Sequence, residues 1–75
     1  MDITKLLKMA MLEKNLKQVE VASRVYDSKN SRVTFNNLLR RNDYRLEDII
    51  RVADVLDYDV RLQLVDRQTG KIIEA

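Results

Sequence analysis

The sequence predicts a mainly α-helical single domain over residues 1–75: four amphipathic helices, then a short C-terminal β-strand or hairpin. Three observations carry that expectation. Apolar residues recur at spacings of three and four from Ile3 to Leu56, the period of a helix with one buried face. After Tyr58 the period falls to two, as in a half-buried strand. Proline is absent and Gly70 is the single glycine, which favours short connections. Seventy-five residues enclose one small core, so a dimer interface is an expected source of further stability.

The first helix is expected from about Ile3 to Lys14, capped by the Asp2 carboxylate. Ile3, Leu6, Leu7, Ala10 and Met11 form its inward stripe, while Lys5, Lys8, Glu13 and Lys14 face water. The methionines suit an irregular core gap. Asn15 ends the helix, and Leu16 staples the connection to the core. A second helix over about Lys17–Val25 turns Val21, Ala22 and Val25 inward, and the small Ala22 permits a close helix crossing. Tyr26 to Ser31, YDSKNS, reads as a turn, because Asp27, Ser28, Asn30 and Ser31 bond readily to nearby backbone. Asn30 can take a left-handed conformation in place of glycine. Ser31 is the preferred cap of the third helix, with Ser28 as competitor.

The third helix, about Arg32–Arg41, buries Phe35, Leu38 and Leu39. Asn42, Asp43 and Tyr44 break it, and the Tyr44 ring is expected on the core edge rather than as a base-stacking platform. The fourth helix, Leu46–Asp57, buries Ile49, Val52, Ala53 and Leu56, flanked by Ile50 and Val55. Glu47 and Asp48 sit in its first turn, where the helix dipole favours acids. Val60, Leu62 and Leu64 then alternate with Arg61 and Gln63, Asp66–Gly70 forms a turn, and Lys71–Glu74 returns. A lone two-stranded hairpin is marginal in water, so it must pack on the helices or pair with another chain. A homodimer built on Val60, Leu62, Leu64, Ile72 and Ile73 is the expectation.

The second helix, the turn and the third helix together form a helix-turn-helix pattern. Charge is concentrated there. Ser28 to Arg45 holds five basic residues (Lys29, Arg32, Arg40, Arg41, Arg45) against Asp43, a net +4 in a chain of net +2. Met1 to Asp27 has five basic and four acidic residues, and Leu46 to Ala75 four basic and seven acidic. The outer face of the third helix carries Arg32, Thr34, Asn36, Asn37, Arg40 and Arg41. Arg and Asn are the side chains that contact guanine and adenine edges in bidentate fashion. Double-stranded DNA is therefore the expected partner. Arg32, Asn36 and Asn37 are placed on base edges and Val33 on a thymine methyl. Gln18, Lys29, Arg40 and Arg41 are placed on phosphates, with Asn30, Ser31 and Thr34 completing the interface. A merely solvated face is the alternative reading of the same charge.

The chain has neither cysteine nor histidine, which removes disulfides, thiol chemistry and the commonest general base and metal ligand. No metal-ligand spacing or phosphate-cradling loop is visible. No cofactor is expected, and the chain is not expected to be an enzyme. The pairs Glu47/Asp48 and Asp57/Asp59 are what a helix start and a helix end ordinarily carry. Charged residues interrupt the N-terminus too often for a secretory signal, and no stretch approaches a membrane span. A cytoplasmic location with no membrane contact is expected.

With these residues in place, the chain resembles small members of the Cro/repressor-like (XRE-type) helix-turn-helix family. Gln18 matches the glutamine opening the second helix, Val21–Ala22 the aliphatic–alanine pair, and Val25 the next aliphatic position. Ser31, Phe35 and Leu38/Leu39 match the capped recognition helix. LLKMAMLEKN, RRNDY and VRLQLVDRQTGK are similar to stretches of short regulators from bacterial mobile elements. The resemblance implies a sequence-specific DNA-binding regulator of transcription, a dimeric repressor. Two departures bear on how the third helix is presented: Tyr26 replaces the turn glycine, and the turn is about three residues longer. The second reading, an antitoxin-like or inhibitor module that keeps the helical scaffold, draws on that turn and on the acidic C-terminal third.

Overall fold

The computed structural model describes every residue from Met1 to Ala75. Four helices lead into one antiparallel hairpin: α1 (Ile3–Glu13), α2 (Gln18–Val25), α3 (Ser31–Arg41), α4 (Leu46–Val55), β1 (Gln63–Val65) and β2 (Ile72–Glu74). α2 packs on both α3 and α4. The core takes Leu7 and Met11 from α1, Val21 and Ala22 from α2, and Phe35, Leu38 and Leu39 from α3, with Val52 and Leu56 from α4 and its end. Tyr26 tilts its ring against Phe35 at 6.4 Å. Every buried residue is apolar.

Local chemistry sets the helix ends. Asp2 Oδ1 accepts from the Lys5 amide at 2.9 Å, as the sequence indicated. α2 and α4 open differently. Glu20 accepts from the Lys17 amide at 3.3 Å and Asp48 from the Arg45 amide at 3.0 Å, each reaching back to the residue before its helix. α1 and α4 close on left-handed Asn15 (φ 56) and Asp57 (φ 62). The Leu16 amide then reaches Met11 O at 3.0 Å, and the Tyr58 amide reaches Ala53 O at 2.9 Å. Both are Schellman closures. α3 ends on a third left-handed residue, Asn42 (φ 51).

Several expectations are corrected. Asn30, at φ −101, is not left-handed but is the N-cap of α3, and neither Ser31 nor Ser28 caps it. Ser31 is already helical. The chain leaves α2 extended at Tyr26, and the Ser31 amide closes a turn on Ser28 O at 3.3 Å, so no positive φ is needed. Ser28 Oγ serves the Asn30 amide instead, at 3.3 Å. In α1, Leu6 lies outside the core at 58% exposure. Met9 is likewise exposed, so Met11 alone of the α1 methionines fills a core gap. Ile49 is half-buried rather than buried, and α4 stops at Val55.

The hairpin differs most. Its strand begins at Gln63, so Val60 and Leu62 precede it. Its register pairs Leu64 with Ile73 and Val65 with Ile72. It does not pack on the helices: every residue from Asp59 to Ala75 is exposed. The chain runs off the end of α4 past Tyr58, and the molecule extends 48 × 23 × 18 Å. The turn itself is well made. Asp66 Oδ1 accepts from the amides of Gln68 (2.8 Å) and Thr69 (3.4 Å), and Gly70 supplies φ +75. No helix is long and apolar enough to cross a membrane.

Candidate nucleic-acid interface

Burying Phe35, Leu38 and Leu39 fixes the roll of α3 about its axis. That roll leaves Arg32, Val33, Thr34, Asn36, Arg40 and Arg41 exposed, Val33 at 59%. Ser31 and Asn37 are half-buried at the margin, and Lys29 and Asn30 stand exposed in the preceding turn. Two side-chain pairs organise the surface. Gln18, at the first position of α2, donates through Nε2 to Asn36 Oδ1 at 3.3 Å. Arg40 donates to Asn37 Oδ1 at 3.1 Å, one helical turn earlier. The first pair joins two helices, so the Asn36 amide is held from outside its own helix and keeps its NH2 free to donate. The second lies within α3 and directs a guanidinium along the helix. The sequence placed Gln18 on a phosphate and did not connect it to Asn36.

The C-terminal end of α3 is tied to α1 by a compact hydrogen-bonded cluster. The Thr4 hydroxyl donates to Leu39 O at 2.6 Å and lies 2.7 Å from the Tyr44 hydroxyl. The Thr4 amide donates to Asn42 Oδ1 at 3.1 Å. This anchoring sets the angle at which Arg40 and Arg41 leave the body. Burial raises the Tyr44 phenol above its ordinary pKa, offset in part by the bond to Thr4. Burial also raises Tyr26, with the Asp48 carboxylate acting in the same direction. Sequence reading put Tyr44 on the core edge, where it lies, but Thr4 carried no visible signal. A threonine in the first turn of a helix is ordinary, and its partners are far away in sequence, Tyr44 by 40 residues.

No family model matches this chain, and neither a curated protein nor a solved structure matches it. The surface is therefore judged on its chemistry. It combines exposed guanidinium and carboxamide groups on one rigid helix with a small apolar contact at Val33, which is the set of groups that reads base edges. No group of three or more acidic side chains is placed to hold a metal ion.

A second surface went unread in the sequence. An apolar groove of about 410 Å³ lies between α1 and α4, lined by Leu6, Met9, Ala10, Ile49, Tyr58 and Val60 among others. The Tyr58 ring also carries the Lys14 ammonium, 4.5 Å from its centre. The signal was available: Leu6 and Met9 stand three apart, an apolar pair beside the core stripe of α1.

Proposed function

We propose that the chain is a sequence-specific double-stranded DNA-binding regulator of transcription, acting in the cytoplasm as a homodimeric repressor. The observation that carries this reading is the exposed face of α3, where Arg32, Asn36, Arg40 and Arg41 stand clear of the core on one helix. Lys29 and Asn30 extend that face into the turn. The Cro/repressor-like resemblance points the same way. In this reading α3 enters the major groove, Arg32 and Asn36 contact base edges, and Val33 meets a thymine methyl. Gln18 contacts a phosphate while holding Asn36, and Lys29, Arg40 and Arg41 position the backbone. Asn37 is half-buried at the margin and accepts from Arg40, so it acts through that guanidinium. Two copies would present α3 to half-sites about one helical turn, ~34 Å, apart.

The test is selection of bound duplexes from a random library, followed by retardation of the selected and a scrambled duplex in low salt. Enrichment of a two-fold symmetric motif is expected. Failure to retard any duplex would overturn the reading and favour the protein-interaction module.

A further inference from the structure

The hairpin and the groove each lack a partner within the chain. Leu64 and Ile73 are in register and therefore project from the same face of the hairpin, and Leu62, two residues before Leu64, continues that face. All three side chains are exposed, Leu64 at 73%. The groove between α1 and α4 is equally open. Val60 lines it, and no residue beyond Arg61 does, so the hairpin leaves its own groove at its root.

We infer that the hairpin of one copy seats its apolar face in the α1–α4 groove of a second copy, and that the exchange is reciprocal. The inference rests on the homodimeric part of the proposed function and not on DNA binding. Three observations argue for a second copy as the occupant. The first is area. A compact 8.9 kDa monomer would expose ~4,800 Å² by area–mass scaling, whereas this chain exposes 6444 Å². The excess, ~1,600 Å², is ample beside the ~800 Å² per partner of a standard interface. The radius of gyration agrees, at 14.1 Å against ~11 Å for a compact domain of this length.

The second is charge. Leu46 to Asp59, the segment that supplies Ile49, Ala53, Leu56, Tyr58 and Asp59 to the groove, holds five acidic residues against Arg51, a net −4. The arm from Arg61 to Glu74 holds three basic residues against Asp66 and Glu74, a net +1. The arm thus complements that segment of another copy. The third is closure. Arm and groove sit on every chain, so a two-fold exchange satisfies both at once and closes on itself. It also covers one face of a hairpin that is marginal alone.

The chain has no cysteine of its own, so single cysteines report the contact directly. A Met9→Cys copy is mixed with an Ile73→Cys copy without DNA and oxidised mildly. The mixed disulfide dimer is the expected product. A dominant Ile73→Cys self-disulfide would instead place hairpin against hairpin and overturn the inference. A dimer by sedimentation that yields no mixed disulfide overturns it too, while leaving the homodimer standing. A monomer at micromolar concentration overturns both. Leu64→Glu provides the second check, because that side chain is 73% exposed and lies outside the core. Unchanged helical circular dichroism is expected, with the dimer Kd raised about tenfold or more. An unaltered Kd would count against the inference.

Discussion

In the proposed DNA-binding reading, base recognition turns on Asn36. Its Oδ1 accepts from Gln18 Nε2 at 3.3 Å, which restrains the amide plane and leaves the second Oδ1 lone pair and the NH2 for a bidentate approach to adenine. Asn36→Ala should weaken binding to the selected site by about 1–3 kcal/mol and barely alter binding to scrambled duplex. Equal losses on both duplexes would remove Asn36 from base readout. Arg40→Ala should weaken both duplexes and reduce the slope of log K against log salt by about one. Two tyrosines bear on the pH dependence of stability. Tyr26 and Tyr44 both have folded pKa values above the ordinary phenol value. The folded state therefore holds protons that the unfolded chain releases, and their contribution to stability is intact at neutral pH and falls as pH rises past ~10. Urea midpoints for the wild type should drop across that range. The drop should be shallower in a Tyr26→Phe/Tyr44→Phe double variant.

At the scale of elements, the four helices were legible in the sequence because each buries one stripe at helical spacing, and the buried side chains of α2 and α3 are those the period selects. The ends were less legible. Asn15 was recognisable as a stop, but the α2–α3 turn was misassigned at Asn30 and Ser31. Any of Asp27, Ser28, Asn30 and Ser31 can bond to nearby backbone, and the choice among them is made by the extended exit at Tyr26. Leu6 was misplaced because core and groove stripes adjoin on α1, and only the position of α4 distinguishes them. The hairpin was legible through its alternation and its Asp66–Gly70 turn, but its lack of contact with the helices was not, since alternation shows that one face is apolar and not what covers it. The helix stops also support a stability prediction. Asn15 and Asp57 hold positive φ where glycine is free of strain. Asn15→Gly and Asp57→Gly should each raise stability by about 0.5–1 kcal/mol in chemical denaturation. Asn42→Gly should not, because its side chain also receives the Thr4 amide.

At the scale of the whole molecule, the chain divides into a helical body that holds the core and an arm that holds none of it. If the arm is the main adhesive surface, stability depends on concentration. Dimerisation binds the folded state only, so the melting temperature should rise steadily with protein concentration, by mass action. Leu64→Glu should flatten that dependence. A wild-type melting temperature independent of concentration would show that the body carries all the stability itself. The division between body and arm has an evolutionary consequence. Nothing beyond Tyr58 contributes a side chain to the interior. Where the arm makes the dimer, a duplicated gene can rewrite its tail without touching the core, so descendants that keep the same helical body come to refuse one another as mates.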